Sequence, residues 1–287
     1  MGALKPCVMT LSADRLAALD AFTVELNAAS AGAILPLFRS DHGLEDKAAG
    51  KNLPRESHAA FDPVTEADRG AEAAIRKLIS ERYPEHGVIG EEYGEDRPDA
   101  EFVWVLDPVD GTRAFISGLP LWTTLIGLRH QGRPVLGSIG QPYLDEIYIG
   151  SAVGGSRLIA RGVEKALRVR PCAVLTDAII ATTDPEACFD GAELGAWRQV
   201  RAAAKLARLG CDAYAYAMVA AGTMDMVIEA GLKSWDVEAA IPLIEGAGGV
   251  VTDWRGAPIG QHGGQMAIAG DQRVLDEALV ALKRSAK

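Results

Sequence analysis

The stretch Trp104-Val-Leu-Asp-Pro-Val-Asp-Gly-Thr-Arg-Ala-Phe115 decides how this chain is read. Its apolar start has the composition of a buried strand, its two acids end that strand, and a helix opens beyond Gly111. Pro108 fixes the backbone between Asp107 and Asp110, so both carboxylates can face one site. Gly111 permits a tight turn, and the amides of Gly111, Thr112 and Arg113 stand at a helix start, where no intrahelical acceptor reaches them. Carboxylates that hold cations beside amides that hold an anion are the parts of metal-assisted phosphate chemistry.

Three further acidic clusters could join that site: Asp62-Pro-Val-Thr-Glu-Ala-Asp68, Gly90-Glu-Glu-Tyr-Gly94 and Glu229-Ala-Gly-Leu-Lys-Ser-Trp-Asp236. None contains histidine or cysteine, and hard cations such as Mg²⁺ prefer such all-oxygen donor sets. Each cluster also has a plain structural reading. Asp107-Pro-Val-Asp110 is equally a strand-to-turn junction, Thr65 with Asp68 a helix cap, Asp236 the cap of a helix from Val237, and Glu91-Glu92 a solvated surface pair. Their occurrence together, in this order, favours a shared site.

Composition sets the bounds. The chain has 287 residues, 48% hydrophobic and 24% charged, with a net charge of -10. A chain of this length buries a substantial core without disulfides or structural metal, and no apolar run is long enough to cross a membrane. The acidic balance argues against a nucleic-acid or membrane surface. Cys7, Cys172, Cys188 and Cys211 are scattered, with no zinc or disulfide spacing, which points to a reduced cytoplasm. Met1 to Thr10 lacks a signal-peptide core.

Ser12 reads as an N-cap, followed by helical periodicity to about Phe38. Residues 40–61 read as a mobile loop or loosely packed hairpin, and a second helix runs from Glu66 to about Tyr83, before Pro84. Strands are expected near Gly87–Ile89, Phe102–Leu106, Thr123–Arg129, Pro134–Gln141 and Glu146–Gly150, with a Gln131-Gly132 turn. Beyond Cys172, short strands at Ala178–Thr182, Met226–Glu229, Gly249–Thr252 and Gln265–Ala269 alternate with helices at Ala192–Ala207, Tyr214–Ala221, Val237–Ala247 and Gln272–Arg284. The expected fold class is therefore α/β, with an α+β half over residues 1–170, carrying an antiparallel sheet, and an α/β half over 171–287. Gly246-Ala-Gly-Gly249 follows a helix, so it reads as a helix stop and not as a phosphate loop. The five histidines show no close pairing, and Trp122, Trp197 and Trp254 read as packing residues.

Gly90-Glu-Glu, Asp107-Pro-Val-Asp-Gly-Thr112, Trp235-Asp236 with Glu245-Gly-Ala-Gly-Gly249, and the 62–68 segment together resemble the inositol monophosphatase family, lithium-sensitive and magnesium-dependent phosphomonoesterases. The resemblance covers most of the chain and implies the family's layered α-β-α-β-α sandwich, most metal ligands in the first half, and a homodimer. It further implies two or three Mg²⁺ ions. Glu91, Asp107 and the Val109 carbonyl would hold one; Asp107, Asp110 and Asp236 a second; Glu91 would reach a third through water. Asp68 and Thr112 match the pair that orients and deprotonates the attacking water, and Gly111, Thr112 and Arg113 would bind phosphate. Two metals clamping the attacking and leaving oxygens of an in-line displacement agree with the donor types present.

The substrate implied is a small phosphate monoester. Arg113-Ala-Phe-Ile-Ser-Gly-Leu-Pro120 departs from the Thr-x-Asn-Phe pattern of inositol enzymes and is similar to the histidinol-phosphatase branch. So are Gly210-Cys-Asp-Ala-Tyr-Ala-Tyr216, Glu229-Ala-Gly-Leu-Lys233 and the 241–254 segment. L-histidinol phosphate carries an ammonium and an imidazole, which acids would meet, whereas inositol offers hydroxyls. Asp212 and Glu229 match the leaving-group contacts; Glu229 is shared with inositol enzymes, so Asp212 is the sharper indicator, although Gly-x-Asp also marks ordinary turns. Inositol 1-phosphate is the runner-up substrate, and a non-catalytic cation- or phosphate-binding module the distant alternative.

Overall fold

A computed structural model describes residues 11–41, 43–49 and 63–287. The leader reading of Met1 to Thr10, Cys7, His42, His58, Asp62 and most of the 40–61 loop lie outside the described residues. Two helices come first, α1 (Ala13–Ile34) and α2 (Glu66–Arg82), with β1 (Glu45–Asp46) and β2 (Pro63–Val64) paired antiparallel between them. Ser12 caps α1 by accepting from Arg15 N at 3.2 Å. The helix ends at Ile34, short of the expected Phe38, because Pro36 has no N–H with which to continue the ladder.

Eight strands follow: β3 (Gly87–Gly90), β4 (Gly94–Asp96), β5 (Phe102–Asp110), β6 (Thr123–His130), β7 (Arg133–Gln141), β8 (Glu146–Ser151), β9 (Gly155–Ala160) and β10 (Val163–Ala166), with the one-turn helix α3 (Thr112–Ile116) after β5. They form one sheet of order β10-β9-β8-β7-β6-β5-β3-β4, antiparallel except where β3 runs parallel to β5. Gln131 and Gly132 turn β6 into β7 with φ of 51° and 76°, the mirror-image geometry that suits strand twist.

The remaining elements are β11 (Ile179–Thr182), α4 (Pro185–Cys188), α5 (Gly191–Ala203), β12 (Leu206–Leu209), α6 (Tyr214–Ala220), β13 (Met226–Leu232), α7 (Ser234–Val237), α8 (Ala240–Gly246), β14 (Val250–Thr252), β15 (Gly264–Ala269) and α9 (Gln272–Leu282). Their strands make a mixed sheet of order β12-β11-β13-β15-β14. Two expectations are corrected here. The helix expected over Ala192–Ala207 stops at Ala203, and Leu206–Leu209 pairs parallel with β11, a tertiary pairing that overrides helix-favouring residues. The helix expected over Val237–Ala247 is two helices, the second placing Pro242 in its first turn, where a missing N–H costs nothing.

Three cores separate the layers. Leu19, Phe22 and Leu26 of α1 and Ile75 and Ile79 of α2 pack on Trp104, Leu106 and Ile126 of the large sheet. Its other face, through Leu125, Ile139 and Tyr148, meets α6 and α8, which also cover Val227 and Ile268 of the small sheet. Trp197 of α5 and Leu275 of α9 close the far face against Ile180 and Ile228. The result is an α-β-α-β-α sandwich. Trp122, Trp197 and Trp254 are fully buried packing residues, and α8 stops at Gly246, with Gly248 at φ 90° leading into β14.

Candidate metal and phosphate site

The two acids of the opening motif share a face because of a bulge. Residues three apart on a regular strand point to opposite sides of a sheet. Between Asp107↔Leu125 and Asp110↔Thr123, however, β5 advances three residues while β6 advances two. The extra residue returns Asp110 to the face of Asp107, while Val109 points the other way into the packing of Ile34, Phe38 and Phe115. Thr124 Oγ1 donates to the Pro108 carbonyl at 2.8 Å and holds the bulge open.

Other elements bring their acids to the same place. Parallel pairing of β3 with β5 sets Gly90 beside Leu106, and Glu91 N donates to Leu106 O at 3.2 Å, so Glu91 stands next to Asp107. Asp236 lies in α7, which packs on β5 and β6. Oxygens of Asp107, Asp110 and Asp236 lie within 4.8 Å of one another. Asp68 sits in the first turn of α2, its Oδ1 3.5 Å from Thr112 Oγ1, which also donates to the Val109 carbonyl at 3.0 Å. Asp212 packs against Gly111, whose φ is 81°; a Cβ there would meet Asp212 Cγ at 3.2 Å.

Four of these acids have one oxygen tied to a backbone amide. Asp107 Oδ1 accepts from Val109 N at 3.1 Å, Asp110 Oδ2 from Ala213 N at 2.7 Å, Asp236 Oδ2 from Lys233 N at 2.6 Å and Asp68 Oδ2 from Thr65 N at 2.8 Å. Asp68 completes the cap of α2 with Thr65, whereas Asp236 does not cap a helix from Val237: it lies inside α7 and accepts from Lys233 at the start of that helix. Both bonds complement a site, because capping orients the side chain and leaves its second oxygen available. Glu229 is 2% exposed and accepts from Thr183 N at 2.9 Å, Thr183 Oγ1 at 3.0 Å and Thr182 Oγ1 at 3.2 Å.

So many acids in one place resist ionisation. Burial, then Glu91 and Asp110, pushes Asp107 well above the usual carboxylate range; burial, then Asp212 and Asp236, does the same to Asp110. Burial raises Glu91 to about 7, opposed by Lys47, and raises Asp236 to about 6. Asp212 rises to about 6 by burial although the Arg113 guanidinium holds it down, and burial takes Glu229 to about 8. With no cation bound, the folded chain between pH 4 and 8 thus holds more protons than the unfolded one, so stability falls as pH rises through that window. Thermal unfolding in chelator is expected to show a melting temperature that falls from pH 5 to pH 8, with added Mg²⁺ removing the fall. A melting temperature that climbs with pH in chelator would contradict this electrostatic picture.

Several participants are invisible as motifs. Lys47 lies 3.2 Å from Glu91 Oε1 and 2.5 Å from Glu92 Oε1, and Glu72 holds the turn that carries Glu91. The Ala213 amide and the Thr182-Thr183 pair supply donors that only folding assembles. His86 is buried, accepting from Trp104 Nε1 at 3.1 Å, and His130 stands 3.1 Å from Glu101. Both are structural.

The family model of the inositol monophosphatases matches residues 16–287. The chain belongs to the inositol monophosphatase family. It is 41% identical over 233 residues to the chloroplastic bifunctional phosphatase IMPL2 of Arabidopsis thaliana, a match covering 78% of this chain and 66% of that one. It is 37% identical over 194 residues to a histidinol-phosphatase of Chlorobaculum parvum, covering 68% and 73%. A solved inositol monophosphatase from Zymomonas mobilis superposes with a TM-score of 0.81 at 36% identity, over 95% of this chain and 99% of that one. The chain is accordingly a phosphoric monoester hydrolase of this family, and among the described residues no helix is long and apolar enough to cross a membrane.

Proposed function

We propose that this chain is a Mg²⁺-dependent phosphomonoesterase that hydrolyses L-histidinol phosphate to L-histidinol and phosphate. The observation that carries the metal reading is the convergence of Asp107, Asp110 and Asp236 from two distant segments, an all-oxygen donor set that fits a hard cation. Glu91, Asp107 and the Val109 carbonyl would hold one ion, and Asp107, Asp110 and Asp236 would hold another. A bound Mg²⁺ lowers the pKa of its water and neutralises charge that develops on the phosphoryl oxygens.

The chain's own groups supply the rest. Asp68, with Thr112 beside it, orients the attacking water and accepts its proton; burial raises the Asp68 carboxyl above its ordinary value, which makes it the better base. The amides of Gly111 and Thr112 receive phosphate oxygens at the start of α3, with Arg113 adding charge. Asp212, packed on that turn, and Glu229 face the leaving group, where an ammonium finds two carboxylates. Free Cys172, Cys188 and Cys211 suit a reduced cytoplasm.

Turnover of L-histidinol phosphate and inositol 1-phosphate separates the readings. The expected result is a higher kcat/KM for L-histidinol phosphate, reduced roughly tenfold by Asp212→Asn, the scale of one charge-assisted contact, with little change on inositol 1-phosphate. A higher kcat/KM for inositol 1-phosphate would reverse the substrate assignment. Metal binding without turnover on either ester would favour a binding module.

A further inference from the structure

Glu72 is buried at 0% exposure on α2, outside every acidic motif. Its Oε2 accepts from Glu92 N at 2.8 Å, and its Oε1 accepts from Tyr93 N at 3.2 Å and from Arg76 Nε at 2.7 Å. Those two amides belong to the turn between β3 and β4, immediately after Glu91. The same carboxylate lies against Gly90, where a Cβ would stand 2.1 Å from Glu72 Oε1. One buried side chain therefore clamps residues 90, 92 and 93, and the residue left between them is Glu91.

We propose that Glu72 is a positioning residue for the metal site: it fixes the Gly90-to-Tyr93 turn so that the Glu91 carboxylate faces Asp107. The clamp needs a carboxylate. Two backbone N–H groups point at it from the turn, and both oxygens must accept. The glycine at position 90 leaves room for the carboxylate to approach the chain, and Arg76 balances its charge inside the fold. Groups that orient metal ligands without touching the ion set metal affinity on this principle, typically by 10- to 100-fold.

The proposal rests on the metal reading above, so its test reads Mg²⁺ binding directly by calorimetry, alongside phosphate release. Glu72→Gln keeps the volume but turns one acceptor into an NH₂ donor facing a backbone N–H. The expected result is a Mg²⁺ dissociation constant raised about tenfold, with KM for the ester unchanged at saturating Mg²⁺. Ile75→Val, buried on the same helix, matches a loss of stability and is expected to leave Mg²⁺ affinity at the wild-type value. Gly90→Ala sets a Cβ against the Glu72 carboxylate and is expected to weaken Mg²⁺ binding in the same way; it decides the matter if Glu72→Gln does not fold. Wild-type Mg²⁺ affinity in Glu72→Gln, or an equal loss in Ile75→Val, would overturn the proposal. A wild-type chain that binds Mg²⁺ yet releases no phosphate would count against the functional reading and leave this comparison standing; one that binds no Mg²⁺ would overturn both.

Discussion

Asp110→Asn is expected to lower kcat by about three orders of magnitude while leaving the fold intact. A metal clamp contributes several kcal/mol to charge stabilisation in the transition state, and each ~1.4 kcal/mol is a factor of ten. Asparagine keeps an acceptor for the Ala213 amide, which lies 2.7 Å from Asp110 Oδ2, so the loop that begins α6 stays in place. What is lost is one negative charge at the position where Asp107 and Asp236 converge. That charge is unfavourable in the metal-free protein, because Asp110 is buried and crowded by Asp212 and Asp236. The variant should therefore unfold in chelator at a temperature equal to or above that of the wild type. Initial rates of phosphate release and thermal unfolding check both halves; a rate within about tenfold of wild type, less than one such factor of ~1.4 kcal/mol, would remove Asp110 from the metal site.

Asp68→Asn is expected to reduce kcat by about 10²- to 10⁴-fold, the range for a positioned general base, with the Mg²⁺ requirement unchanged. The separation follows from geometry. Asp68 stands beside Thr112 and caps α2, while Asp107, Asp110 and Asp236 form the cluster across the bulge. An amide accepts the Thr65 N–H as a carboxylate does, so helix α2 keeps its cap, but it takes no proton from water. Measuring kcat across a Mg²⁺ titration distinguishes the two acids: Asp110→Asn both lowers the plateau and shifts the titration to higher Mg²⁺, whereas Asp68→Asn lowers the plateau without the shift. A wild-type plateau in Asp68→Asn would assign the base elsewhere.

The parts of this site that are legible in the sequence are those set by local rules. Asp107-Pro-Val-Asp-Gly-Thr112 announces a strand end and a helix start because proline and glycine constrain the backbone residue by residue, and Ser12 and Thr65 announce their helices by capping chemistry. The bulge is not legible, since nothing in residues 107–110 states how many residues β6 advances beside them. Yet the bulge puts both carboxylates on one face. Strand β12 is hidden for a related reason: Leu206-Ala-Arg-Leu209 favours a helix by itself and becomes a strand through β11. The hairpin of β9 and β10 leaves little trace in the sequence because β9 is at least partly buried along its whole length and β10 is exposed along its whole length, so neither has the alternation of a half-buried strand. Lys47 and Glu72 sit far in sequence from the residues they hold, and only tertiary contact gives them meaning.

The most direct measurement is phosphate release from L-histidinol phosphate by chelator-stripped protein as Mg²⁺ is titrated back. No turnover in chelator, followed by a saturable rise with Mg²⁺ that Asp110→Asn shifts to higher concentration, is the expected result. A rate that survives stripping, or that rises identically in Asp110→Asn, would contradict a reaction carried by cations held at Asp107, Asp110 and Asp236.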